Sequence, residues 1–107
     1  MSKIVEKTLT FAESTSPDRV GYRLYYEEAP AEVSYDNSPF INIPLTPIDG
    51  NIVVKLHEVP EFSEFDGVYN IGVSTVDDNG NESDFSKAEN VSLDLFPPLK
   101  PGELILT

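Results

Sequence analysis

Residues 67–84 constrain the fold most, because a strictly alternating apolar segment there runs straight into a dense turn signal. Tyr69, Ile71, Val73 and Thr75 fall on one face of an extended strand, and smaller or polar residues fall on the other. A period of two over this length indicates a strand with one buried face. The Asp, Asn and Gly residues that follow tolerate left-handed backbone angles and predict a tight turn.

Shorter alternations recur along the chain between clusters of Pro, Gly, Asn, Asp and Ser, without a sustained helical period. The run 40–43 lies among three prolines, which cannot donate ladder hydrogen bonds, so it is predicted at a sheet edge. Short strands at this spacing predict an all-β fold, a sandwich of two antiparallel sheets. The predicted core consists of Leu9, Phe11, Tyr22, Leu24, Tyr26, Val54, Leu56, Val59, Tyr69, Ile71, Val73, Val91 and Leu93.

The length of 107 residues fits one ordinary domain. We expect a sandwich over residues 1–98 and an extension over 99–107. With 39% hydrophobic residues the chain can fold without metals or disulfides, and it contains no cysteine.

Nineteen acidic and seven basic residues give a net charge of −12. This charge opposes contact with nucleic acid or an anionic membrane surface. No segment resembles a signal peptide or a membrane span, so we expect an intracellular protein or an excised piece of a longer exported one. The compartment stays open.

The residues give little support to catalysis. His57 is the only histidine, it lies at a strand end beside acidic residues, and there is no cysteine to act with it. No serine lies in a nucleophile-elbow motif, and no glycine-rich phosphate loop is present. We therefore predict that the chain is not an enzyme and needs no cofactor.

Calcium is the one cofactor that the sequence leaves open, because side-chain oxygens are closely spaced in residues 77–84. Gly80 and Ala88 occupy positions that do not fit an EF-hand, so a tight turn between strands is favoured and a different type of calcium site is the alternative. The candidate ligands are Asp77, Asn79, Asn81 and Asp84.

Several segments together resemble the fibronectin type III domain, in the form common in bacteria. They are residues 20–26, 54–60, 69–75 and 77–83, within a match over roughly residues 8–96. The resemblance implies an immunoglobulin-like sandwich of about seven strands. It also implies that Tyr69 is the corner tyrosine, whose hydroxyl bonds to nearby backbone.

The chain departs from this family in three places. Phe11 stands where the family usually has a core tryptophan. The connection between Val59 and Tyr69 is long and contains Phe62 and Phe65, which either cap the end of the sandwich or form a partner surface. Only about ten residues precede Phe11, too few for the family's first strand and the turn after it.

The C-terminal segment resembles the proline-led opening of such a domain. We therefore expect residues 103–107, with Leu104 and Leu106 as candidate contact residues, to form an edge strand in their own domain or in a neighbouring copy. A frayed tail or a linker is the alternative.

Two function classes follow. The first is a non-catalytic protein- or carbohydrate-interaction or spacer module, of the kind found beside bacterial enzymes and in surface proteins, as the resemblance implies. The second is a self-associating structural protein joined through its C-terminal edge strand.

Overall fold

The computed structural model describes residues 6–62, 65–95 and 98–106. It shows an all-β protein with two antiparallel sheets, which confirms the predicted fold class. The described residues contain six strands rather than about seven, and none of their helices could span a membrane. The strands are β1 (Thr8–Ala12), β2 (Arg19–Glu28), β3 (Phe40–Pro44), β4 (Asn51–Lys55), β5 (Asp66–Asp77) and β6 (Ser86–Asp94), with 3-10 turns at Leu56–Glu58 and Pro60–Phe62.

The larger sheet has four strands in the order β3-β2-β5-β6, and the smaller sheet has only β1 and β4. Strand β2 pairs with β5 from Arg19 opposite Asp77 to Glu28 opposite Tyr69. The proline-flanked strand β3 lies at a sheet edge, as predicted, because its unpaired side does not need the missing donors.

The core lies between the two sheets. Alternation in β4 shows the cause: Ile52 and Val54 are buried, whereas Val53 between them is exposed. All thirteen side chains predicted for the core lie in it or pack against it. The structure adds Ile43, Ile52, Phe62 and Leu95 to the buried set.

A displaced pairing between β5 and β6 is stabilised by the buried side chain of Asn70. The register shifts between Tyr69 and Ile71, and Asn90 on β6 has a φ of 55°. The Asn70 amide donates to the Ala31 carbonyl at 2.8 Å, and its oxygen accepts from the Asn90 N–H at 2.9 Å. Both polar groups of this buried side chain are therefore satisfied.

One end of the sandwich, which we call the Phe62 pole, contains the start of β1 and the end of β6. The Leu56 N–H donates to the carbonyl of Lys7 just before β1, and the Leu95 N–H after β6 donates to the Phe65 carbonyl. The Phe62 and Phe65 rings lie 4.7 Å apart between these bonds. Strand β1 therefore runs away from the Phe62 pole, and β6 runs toward it.

The C-terminal segment 98–106, which we call the tail, forms no strand with the rest of its own chain. Leu104 and Leu106 are 95% and 98% exposed. The expectation of an edge strand within its own domain is therefore wrong for the described residues. The chain measures 67 Å along its longest axis, with a radius of gyration of 17.0 Å against about 13 Å for a compact domain of this length.

Candidate functional site

The two phenylalanines of the β4–β5 connection cap the sandwich. Phe62 is completely buried, with its ring edge-on to Tyr26 at 4.9 Å. Phe65 is half-buried and stacks on Tyr69 at 4.6 Å. Because Phe62 is inaccessible, its assignment as a contact residue for a partner is wrong, and capping is the role that burial supports.

Two other tyrosines make hydroxyl-to-backbone contacts of the kind expected of Tyr69. The Tyr22 hydroxyl accepts from the Ser14 N–H at 3.0 Å, and the Tyr35 hydroxyl donates to the Ser83 carbonyl at 2.7 Å. The first bond fastens the loop at Ser14 to β2, and the second fastens the loop at Ser83 to the turn that contains Tyr35.

The oxygen-rich loop after β5 is held together by Asp77. One carboxylate oxygen accepts from the N–H groups of Asn79 and Asn81 at 2.9 and 2.8 Å, and the other accepts from the Asn81 side chain at 3.1 Å. The Asn81 side-chain bond, with these backbone N–H groups, lowers the pKa of Asp77. This is the geometry of a self-capped turn.

In the described part of the chain, no group of three or more His, Asp or Glu side chains is placed to hold a metal ion. His57 lies 3.7 Å from the Glu6 carboxylate and 3.4 Å from the Lys7 carbonyl.

A second set of packed side chains covers the face of the larger sheet that points away from the core. We call it the outer-face cluster; it consists of Arg23, Tyr25, Tyr35, Phe40, Glu82 and Phe85. The alternation of β2 predicts that Tyr25 faces solvent, yet it is only 1% exposed. Residues outside the strand, chiefly Tyr35 and Phe85, cover it.

Aromatic rings build the apolar part of the cluster around Tyr25. The Phe40 and Phe85 rings each lie 5.1 Å from the Tyr25 ring, and Tyr35 lies 5.9 Å away. Tyr35 and Phe85 stack at 4.2 Å with nearly parallel planes. Offset and edge-on pairs of this kind add about 0.5–1.5 kcal/mol each beyond area burial.

Gly72 on β5 makes room for this covering layer. A Cβ atom at Gly72 would lie 2.7 Å from a methyl group of Val33 and 3.1 Å from the Phe85 ring. The glycine therefore allows the side chains of two loops to reach the sheet surface.

Glu82 forms the polar part of the cluster. Its carboxylate accepts from the Tyr25 hydroxyl at 2.7 Å, from the Ser74 hydroxyl at 2.7 Å and from the Arg23 guanidinium at 3.0 Å. Ser74 is completely buried, and the Glu82 side chain is 15% exposed. A side chain from the loop after β5 thus satisfies polar groups on both β2 and β5.

The hydrogen bonds decide the ionisation of this group. Burial, the largest single influence, opposes the charged form of Glu82, but the bonds from Ser74 and Tyr25 and the charge of Arg23 together lower its pKa. Burial, and then the bond to Glu82, raise the pKa of Tyr25. At neutral pH the carboxylate is ionised and fully engaged, so it is poorly placed to act as a general base.

The exposed part of the cluster consists of Tyr35 and Phe40, with the half-buried Arg23 beside them. Tyr35 and Phe40 are 43% and 42% exposed. The Arg23 guanidinium carbon lies 4.8 Å from the centre of the Phe40 ring, in cation–π contact. These side chains form an amphipathic surface, and the buried side chains of the cluster pack beneath it.

No family model, curated protein or solved structure matches this chain. The arguments about its function therefore depend on its own residues and geometry.

The sequence analysis did not identify the outer-face cluster. Its signal was the occurrence of Tyr25 and Phe40 at strand positions that alternation assigns to solvent, with Phe85 in a nearby loop. Large aromatic residues on the polar side of a strand indicate a second covered surface, but they do not say which loop covers it.

Proposed function

We propose that this chain is a non-catalytic interaction module that contacts a protein partner through the outer-face cluster. The observation that carries the proposal is the exposure of Tyr35 and Phe40, next to the half-buried Arg23, on a base of packed side chains. Tyr, Phe and Arg are enriched in protein interfaces, and Tyr and Arg dominate their energetic hot spots.

Preorganisation supports this role. Tyr35 is fixed by its stack on Phe85 and by its bond to the Ser83 carbonyl, and Arg23 is fixed by Glu82 and Phe40. Side chains that are already ordered lose less entropy on binding. With a net charge of −12 on the chain, a partner with basic residues around its contact surface is favoured.

The resemblance to bacterial fibronectin type III domains adds to the proposal, because such domains act as adhesive or spacer units in larger assemblies. Carbohydrate is the other ligand class for a module of this kind, since aromatic side chains also stack on sugars. A spacer without a ligand of its own is the third possibility.

Selection from a random peptide library displayed on phage tests the protein-binding role. We expect selected peptides to be basic and to bind Tyr35→Ala and Phe40→Ala variants at least about tenfold more weakly, the effect of a modest hot spot. Val53→Ala is the matched control, because Val53 is 40% exposed on the other sheet. If Val53→Ala weakens peptide binding as much as the other two variants do, the outer-face cluster is not the contact surface.

Polysaccharide pull-downs with the same variants separate the remaining classes. Retention on a polysaccharide that Tyr35→Ala abolishes would replace protein by carbohydrate as the partner. If the chain binds neither a library peptide nor a polysaccharide, a spacer without a ligand of its own is the remaining function.

The exposed apolar tail favours self-association as a second candidate function. Leu104, Ile105 and Leu106 are 95%, 73% and 98% exposed, and such contiguous apolar exposure marks interaction sites. Light scattering over a range of concentrations tests it; a constant monomer mass up to about 1 mM, the affinity limit of weak contacts, would exclude it.

A further inference from the structure

We propose that residues 103–106 of one copy add as a strand to the open edge of β1 in a second copy. This inference rests on the second candidate function and deepens it by naming the surface that receives the tail.

The acceptor is the side of β1 opposite β4. In the described residues β1 pairs with β4 alone, so one edge of Thr8–Ala12 retains free N–H and C=O groups. An edge of this kind is a template for pairing with another chain. The smaller sheet has two strands against four in the larger, so a further strand beside β1 would extend its cover of the core.

A cleft of about 450 Å³ lies at the C-terminal end of this edge, between the end of β1 with the loop after it and the larger sheet. Its lining consists of residues 11–15, Tyr22, Val73, Thr75, Ser83 and Ser86. The aromatic rings and methyl groups in this lining suit a leucine side chain. The cleft can therefore receive apolar side chains of a strand that is added beside β1 from this end.

The tail has the chemistry of the donor. In an extended segment Leu104 and Leu106 point to one face, and Glu103 and Ile105 point to the other. Insertion of Leu104 and Leu106 into the cleft would bury two large apolar side chains that are almost fully exposed in the single copy. The other face would remain at the surface.

Strand direction favours a second copy over the same chain. Strand β6 runs toward the Phe62 pole and the tail leaves there, whereas β1 begins at that pole. A tail that continues straight into an identically oriented neighbour enters at the neighbour's far pole and runs antiparallel to its β1. Antiparallel pairs are slightly more stable per residue than parallel ones, because their hydrogen bonds lie perpendicular to the strands. To reach its own β1 in this direction, the tail would have to travel back along the whole molecule.

The distribution of charge also favours the tail as the segment that connects two copies. Residues 98–106 contain one lysine and one glutamate and have no formal net charge, whereas the whole chain has a charge of −12. Two copies of an acidic sandwich repel each other, but the neutral tail can contact the neighbouring copy without adding to that repulsion. The length of the tail also keeps the two sandwiches apart.

The resulting contact is head to tail. Each copy uses its tail as donor and β1 as acceptor, so the two sides of the contact are different surfaces. Contacts of this type form rings when the rotation between copies closes and open filaments when it does not.

Engineered disulfide formation tests the site in the full chain, which contains no cysteine of its own. Thr10 is exposed on β1, and Ile105 lies on the outward face of the tail. In the proposed arrangement these two residues lie on neighbouring strands, within the separation of about 4.4–6.8 Å between Cα atoms that a disulfide spans. We expect the double variant Thr10→Cys, Ile105→Cys to give a ladder of covalent multimers on oxidation.

The matched control is the pair Val53→Cys and Ile105→Cys. Val53 lies opposite Thr10 on β4, one strand farther from the open edge, so a tail at β1 would lie about 9–10 Å away and would not form the bond. Cross-linking of the Val53 pair in place of the Thr10 pair would overturn the assignment to β1. Cross-linking of Thr10 to Ile105 within one chain, seen as an oxidised monomer, would overturn the exchange between copies.

A second measurement separates this inference from self-association in general. By light scattering, Leu104→Asn with Leu106→Asn should weaken association at least about a hundredfold, since each loses the burial of a leucine side chain. Ile105→Asn, on the outward face, should change it less than about tenfold. If the double variant associates as strongly as the wild type, the tail is not the donor strand, although self-association itself stands. If the wild-type chain is a monomer at every concentration, both this inference and the self-association function are wrong.

Discussion

At the scale of single residues, Glu82 has an unusual concentration of partners. It joins β2 to β5 through Tyr25, Arg23 and Ser74, and all three donate to one carboxylate. Hydrogen bonds to a charged acceptor contribute about 1.5–3 kcal/mol each when measured singly, and networks of them are not additive. The outer-face cluster therefore depends on the charge of one loop residue.

Replacement of Glu82 by glutamine tests this dependence. We expect Glu82→Gln to lower the free energy of unfolding by about 1–3 kcal/mol at pH 7, because the shape is kept while the charge is lost. Chemical denaturation measures the change, with Glu89→Gln as the control for removing an exposed carboxylate.

The effect of Glu82→Gln should depend on pH in a defined direction. The pKa of Glu82 is lower in the folded protein than in the unfolded chain, so the unfolded chain binds more protons as the pH falls. The stabilisation is thus present above the ordinary glutamate value of about 4.3 and is lost as the pH falls through the lower, folded value. The difference between wild type and variant should shrink from pH 6 to pH 3; a constant difference would contradict the role of the charge.

At the scale of the elements, the period of apolar residues identified the strands. It did not predict which strand residues are covered by loops. Alternation placed Tyr69, Ile71 and Val73 correctly on the core face. The expectation that β5 has only one buried face is wrong, because Gly72 and Ser74 on its other face are buried under the outer-face cluster. Alternation assigned Tyr25 to solvent because the pattern describes a strand and not the loops that fold over it. The same limit applied to Phe62, whose burial depends on a 3-10 turn that alternation does not encode.

The capping role of Phe62 can be tested directly. Phe62→Ala should lower the free energy of unfolding by about 3–5 kcal/mol, because it opens a cavity against Tyr26 and Phe65. Phe40→Ala is the matched control. The Phe40 ring is 42% exposed, so its removal should lower the free energy of unfolding clearly less. Thermal unfolding followed by circular dichroism compares the two; equal losses would contradict the burial of Phe62.

At the scale of the whole molecule, acidity and an apolar tail act against each other. The charge of −12 keeps copies apart, and the tail draws them together. Repulsion between exposed charges decays over about 8–10 Å at physiological salt, so dissolved ions weaken the repulsion between two copies but leave the apolar contact in place.

Salt should therefore strengthen self-association. Between about 20 mM and 500 mM NaCl, over which the screening length falls from roughly 20 Å to 4 Å, we expect the concentration for half-association to fall several-fold. Sedimentation velocity at both concentrations measures it. Weaker association at high salt would show that ion pairs, rather than the tail, hold the copies together.

The separation of the two sheets also has a consequence for how fast the chain folds. Thr8 on β1 finds its partner Lys55 almost half the chain away, and β1 pairs with no other described strand. The β5–β6 hairpin, in contrast, closes a much shorter loop, since its innermost pair joins Val73 to Ser86. Because long loops must close before their contacts stabilise anything, we expect the hairpin to form early and the β1–β4 pair to form last, on the millisecond-to-second timescale of β-sandwich proteins.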